Sequence, residues 1–158
     1  MTESRTATIR IATMDDLPGY LESSAALFAE DAGTRDPDVD TDFPRRHRDL
    51  YAANLDADDR LVLLADHDGA IVGHLSGVLQ APSAFRPVPV AELRAMYVRP
   101  QHRGSGLGSL LVQGFLDWAR RRDAKRASVT AYASNESAIR FYRRHGLQPH
   151  EVVLETEL

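Results

Sequence analysis

The chain has 158 residues, 43% of them hydrophobic and none of them cysteine, which suffices for one compact domain and excludes disulfides, thiolate metal sites and a cysteine nucleophile. Its net charge of −4 argues against general nucleic-acid binding, and no run of eighteen apolar residues offers a membrane span. The opening MTESRTATIR lacks the apolar core of a secretion signal, so a single domain over residues 1–158 in the cytoplasm is expected.

In chain order, TATIRIA (Thr6 to Ala12) alternates like a strand, and Thr13 with Asp16 has the spacing of a capping pair opening a helix to about Glu30. The next stretch is acidic, with Glu30, Asp31, Asp36, Asp38, Asp40 and Asp42 set against Arg35 alone. A second helix is expected over about Pro44 to Leu55. RLVLLAD and AIVGHLSGVL are apolar runs joined by HDG, which is hairpin turn chemistry. After a proline-rich loop, VAELRAMYV reads as a strand. A glycine-rich loop then leads into a helix to about Arg122, whose Leu107, Leu111, Phe115 and Trp118 form a core stripe. RASVTAY reads as another strand, and NESAIRFYRRHG as a short helix closed by Gly146. HEVVLETEL is expected as a final strand, whose edge leaves pairing into a homodimer open. Strands and helices mix without strict alternation, so the fold class is α+β rather than doubly wound.

The loop Arg103-Gly104-Ser105-Gly106-Leu107-Gly108 sits between a strand and a helix. Helix N-termini carry unpaired amides and a partial positive charge, so an anion is expected there. Glycines at 104, 106 and 108 let the backbone come close to it; the alternative is a loop that needs positive φ. A dinucleotide fingerprint would need glycine where Ser109 stands, and a phosphate-binding P-loop would need lysine after its last glycine. Neither nucleotide motif fits. The six histidines show no metal-ligand spacing.

The loop, preceded by MYVRP, resembles the R-x-x-G-x-G/A segment of GCN5-related N-acetyltransferases (GNAT). NESAIRFYRRHGL is similar to that family's N-x-x-A-x-x-F-Y-x-x-x-G-F segment, departing only at Leu147. The likeness runs from about Glu92 to Leu147. It implies a mixed, mostly antiparallel central sheet flanked by about four helices. It also implies transfer of an acetyl group from acetyl-CoA directly to an amine in a ternary complex, without a metal. The acceptor would be a small-molecule amine or a protein amino group.

Carried over residue by residue, the resemblance implies that the amides of Arg103, Gly104, Gly106, Gly108 and Ser109 hold the pyrophosphate. The backbone of Met96 and Val98 would pair with the pantetheine arm like an added strand. Asn135 would bond that arm, and Arg143, with Arg103 and His102, would bring charge near phosphate. Tyr142 would protonate the departing thiolate, and Glu92 would accept the amine's proton. Glu92 shares strand parity with Arg94, Met96 and Val98 unless a bulge intervenes. Plainer roles stand beside these: Asn135 as a helix N-cap, Tyr142 as a core tyrosine, Glu92 in an ion pair with Arg94, and Glu30 or Asp31 as the base instead. A non-catalytic acyl-CoA-binding sensor is the competing function, and it would need neither Tyr142 nor Glu92.

Overall fold

The computed structural model describes residues 6–158. Its sheet is built around the hairpin of β2 (Arg60–His67) and β3 (Ala70–Gln80). Asp68 and Gly69 turn it with φ of 55° and 85°, the two-residue geometry that follows the right-handed twist of the strands. β1 (Thr8–Ile11) pairs with β2, and β4 (Val90–Val98) with β3, all antiparallel. β5 (Arg126–Val129) then joins β4 in parallel, giving the order β1-β2-β3-β4-β5.

Helices cover both faces because the strands of this sheet are apolar on both sides. On one face, α1 (Leu17–Thr34), α2 (Phe43–Arg46) and α3 (Arg48–Asp56) bury Tyr20, Leu21 and Tyr51 against Val62 and Leu64. On the other, α4 (Leu107–Arg121) sets Leu111, Val112, Phe115 and Trp118 against Leu63, Leu75 and Leu93, with α5 (Glu136–Arg144) adding Tyr142. Each large apolar side chain buried there stabilises the fold by about 1.5–3 kcal/mol. The arrangement is the expected α+β one, mostly antiparallel.

Four boundaries differ from expectation. HEVVLETEL forms no strand, and Val152, Val153 and Leu154 are 83, 76 and 89% exposed; an alternating pattern becomes a strand only where a neighbouring edge takes up its amides and carbonyls. β5 stops at Val129 rather than Tyr132, because its ladder ends where Leu93 faces Val129. The helix expected over 44–55 is two, broken at His47 (φ −114°, ψ 40°). Thr13 does donate its N–H to the Asp16 carboxylate at 2.7 Å, but the element it opens is a single 3-10 turn, Met14–Asp16, ahead of α1.

Candidate active site

β4 changes character halfway along. Leu93 faces Gly77 and Ala95 faces Ser76, so Arg94 is an extra residue, a bulge. The ladder to β5 covers only Val90–Leu93. From Arg94 to Val98, β4 has a strand neighbour on the β3 side alone among the described residues, and its other edge offers backbone groups to an extended ligand. The bulge also overturns the expected parity. Met96 and Val98 pack with Leu93 into the α4 cluster, whereas Glu92 falls on the opposite face, with Ser76, His74 and Tyr97 and toward α1. There the Glu92 carboxylate accepts a hydrogen bond from the Gln80 amide and pairs with Arg94 Nε at 3.2 Å.

The glycine loop lies at the end of this open half. After a 3-10 turn at Pro100–His102, Gly104 and Gly106 take φ of 74° and 88°, a region that strains any side chain with a Cβ. The N–H of Arg103 is taken by Pro100 O at 3.2 Å, and the N–H of Leu110 by Gly106 O at 3.1 Å. Between them, the amides from Gly104 to Ser109 have no acceptor among the described residues. They form an uninterrupted run of donors at the positive end of α4. Gly108 is small for another reason: a Cβ there would come within 3.3 Å of the Phe141 ring, where α5 packs on α4.

Arg103 departs from its expected role. Its guanidinium donates to Val98 O at 2.8 Å and to Glu30 Oε1 at 2.8 Å, and lies over the Tyr97 ring at 5.4 Å. With its amide bonded as well, Arg103 ties the loop to α1 and to the end of β4.

The C-terminal half of α5 reaches the same corner, through Phe141 and His145. Asn135 Oδ1 accepts from Ala138 N at 3.3 Å and so caps the helix, leaving its NH2 group out of the cap. Tyr142 is buried in the α4 cluster, and that burial pushes its phenol up to about 12, so it keeps its proton at neutral pH. Ser109 Oγ is hydrogen-bonded to His145 Nε2 at 3.1 Å, which fastens the end of α5 to the first turn of α4. Arg143 is exposed.

Several contacts escaped the sequence, some of them because they join residues far apart in it. Glu30 and Asp31 are held in ion pairs, Glu30 with Arg103 and with Arg35 at 3.6 Å, Asp31 with Arg35 at 2.7 Å. Nor does the acidic stretch face Arg35 alone, since Arg46 pairs with Asp40 and Arg45 with Asp42 at 3.7 Å. Its Asp36 accepts a hydrogen bond from the Tyr132 hydroxyl at 3.4 Å, and burial, then Asp31 and Asp36, raise that phenol's pKa. The stretch therefore abuts the loop between β5 and α5. Behind the open half of β4, His74 is fully buried, with Nδ1 2.6 Å from Ser23 Oγ and Nε2 without a partner among the described residues. Burial lowers its pKa to about 4. Histidine and serine report no such pairing in one dimension.

Among the described residues, no group of three His, Cys, Asp or Glu could hold a metal ion, and no helix is long and apolar enough to cross a membrane. Comparison with known proteins gives a consistent picture. Residues 25–147 match the family described as the Acetyltransferase (GNAT) family. The chain is 32% identical over 148 residues to an uncharacterized N-acetyltransferase of Archaeoglobus fulgidus, across 90% of this chain and 94% of that protein. A tetramutant of the BH1408 protein from Bacillus halodurans shares the fold at a TM-score of 0.86 and 19% identity, over 96% of this chain and 99% of that one. The aminoglycoside N-acetyltransferase AAC(6')-Iy, in complex with CoA, shares it at 0.77 and 16% identity, over 100% and 98%.

Proposed function

The chain belongs to the acetyltransferase (GNAT) family, and from that premise we propose that residues 1–158 form one N-acetyltransferase domain that transfers an acetyl group from acetyl-CoA directly to an amine. The observation that carries the reading is the run of unpaired amides from Gly104 to Ser109 set at the end of the open half of β4. A diphosphate needs many donors and a close approach of backbone, which the positive-φ glycines permit. The pantetheine arm, with its two amides, is an extended chain that can continue a ladder along Arg94–Val98. The NH2 group of Asn135 supplies a further donor to that arm, and exposed Arg143 adds charge near the phosphates.

In this reading the amine attacks the thioester carbonyl, the C–N bond forms as the C–S bond breaks, and both reactants are held together so that no acyl-enzyme is needed. Tyr142 gives its proton to the departing sulfur; the burial that keeps the phenol protonated also disfavours a bare thiolate beside it. Glu92, on the α1 side, takes the amine's proton directly or through water, at the cost of its pairing with Arg94. The acceptor, a small-molecule amine or a protein amino group, approaches from the face of α1 and α2. We place the chain in the cytoplasm, to which an absence of cysteine is suited.

The test is a panel of amines offered with acetyl-CoA, followed by free-thiol release and by the mass of both acceptor and protein. Thiol released in step with acetylated amine, with no acetylated protein accumulating, is expected. Tyr142→Phe should lower kcat by about 10²-fold and leave acetyl-CoA affinity unchanged. Binding of acetyl-CoA without turnover on any amine would make the chain a sensor instead.

A further inference from the structure

Beside the open half of β4 the chain closes a frame. Its near end is the ladder between Val90–Leu93 and Arg126–Val129. One side is Arg94–Val98, and the other is the stretch that leaves β5 and runs on to Tyr132. The far end is a run of side-chain contacts on the α1 side. Val98 O accepts from Arg103, Arg103 pairs with Glu30, Glu30 and Asp31 pair with Arg35, and the Tyr132 hydroxyl donates to Asp36 at 3.4 Å. Asp36 N is bonded to Asp31 O at 2.9 Å, which fastens this carboxylate to the end of α1.

Charge is unevenly offset along that run. Arg103 and Arg35 offset Glu30 and Asp31, while Arg46 and Arg45 offset Asp40 and Asp42. Among the described residues, Asp36 and Asp38 have no Lys, Arg or His within ion-pair distance. Asp38 is exposed. Asp36 is half-buried, and its two oxygens rest on neutral donors, the Tyr132 hydroxyl and Asp38 N at 3.1 Å. A carboxylate partly withdrawn from water gains more from a cationic donor than from a hydroxyl.

Glu92 stands at the other end of the frame. It is level with Ser128, four residues before Tyr132, and extended chain advances about 3.3 Å per residue, so Glu92 and Asp36 are separated by on the order of 10 Å. Between them β4 presents Ala95 and Tyr97 on the same side, an apolar floor.

We propose that Asp36 is a specificity-determining residue and that the acceptor is a linear diamine or polyamine: one nitrogen reacts beside Glu92, and a second, charged nitrogen takes the place of the Tyr132 hydroxyl on the Asp36 carboxylate. The assignment rests on the transferase reading of this cleft. An alkyl chain with bonds of about 1.5 Å spans the separation with roughly six to eight methylenes, which lie over Ala95 and Tyr97.

Isothermal titration in the presence of CoA reads acceptor binding without turnover. Along the α,ω-diamines from diaminopropane to diaminodecane, affinity should peak at roughly six to eight methylenes, the span set by the strand geometry. At the peak it should exceed that of the monoamine of equal length by about tenfold, the size of one hydrogen bond to a charged group. Asp36→Asn should abolish both the peak and the advantage over the monoamine, with monoamine and acetyl-CoA affinities unchanged. Asp38→Asn makes the same change in net charge and should leave the series as in the wild type. A flat diamine series would overturn the assignment. So would equal losses from the two variants, which would reduce the effect to the general field of an acidic loop. Thiol release with the same amines separates this from the transferase reading. A peak in binding with no acetylation of any amine overturns that reading and not the Asp36 contact; acetylation of monoamines with a flat diamine series overturns the contact alone.

Discussion

From Val90 to Leu93, β4 is paired on both edges, and Val90, Ala91 and Leu93 are 3, 0 and 2% exposed; from Arg94 to Val98 one edge lacks a strand among the described residues, and Tyr97 and Val98 rise to 8 and 9%. The two halves belong to one continuous strand and differ in what lies beside them. The first half is sealed into the sheet and holds α4 in place. The second keeps, among the described residues, a bare edge next to a loop whose amides have no acceptors, groups that a ligand or water can satisfy. A single extra residue, Arg94, separates them, and it also turns Glu92 to the opposite face from Met96 and Val98. In this molecule a sealed stretch and an edge open to a ligand are neighbours on the same strand.

That division can be broken by substitution, and the largest effect belongs to the sealed half. Leu93→Ala should cost about 2–5 kcal/mol in chemical denaturation, the usual range for a cavity in a packed core, and leave acetyl-CoA affinity of the folded protein unchanged. Loss of affinity in parallel with stability would erase the distinction.

Behind the open half, His74 makes stability depend on pH. Its pKa is about 4 in the fold against an ordinary 6.5, so the unfolded chain takes up the proton first. The contribution is complete above about pH 6.5, and about 3 kcal/mol of it is lost as pH falls from there toward 4. His74→Gln, which keeps a polar partner for Ser23, should flatten that part of the stability profile. An unchanged acid limb would place the titrating group elsewhere.

Gly106→Asp belongs to the open half. In wild-type protein, acetyl-CoA at a hundred times its Kd should stabilise the fold by about 2.7 kcal/mol, read as a thermal shift. The variant puts a carboxylate among the amide donors and should lose that shift. Smallest is Glu30→Gln, which releases a partly exposed ion pair worth about 0.2–1 kcal/mol. It should raise the Kd for acetyl-CoA by no more than about fivefold while kcat holds.

How much of this the sequence disclosed follows from how local each signal is. The hairpin, α4 and the cap of α5 were legible because Asp68-Gly69, Gly106 and Asn135 act on their own backbone. The positive-φ turns of the glycine loop were legible for the same reason. The bulge at Arg94 was not, since nothing in VAELRAMYV marks which residue a neighbouring strand will skip. Pairings across the chain were hidden too. Arg103 looked like a phosphate contact, but Glu30, 73 residues away, takes its guanidinium. The segment 150–158 had the period of a strand without the neighbour that would make it one.

The most direct measurement is amide hydrogen exchange with and without acetyl-CoA. Protection is expected in two short stretches, Arg94–Val98 and Gly104–Ser109, while Val90–Leu93, already sealed, changes little. Protection elsewhere, with these amides exchanging as fast as in the free protein, would contradict the placement of the cofactor on the open half of β4.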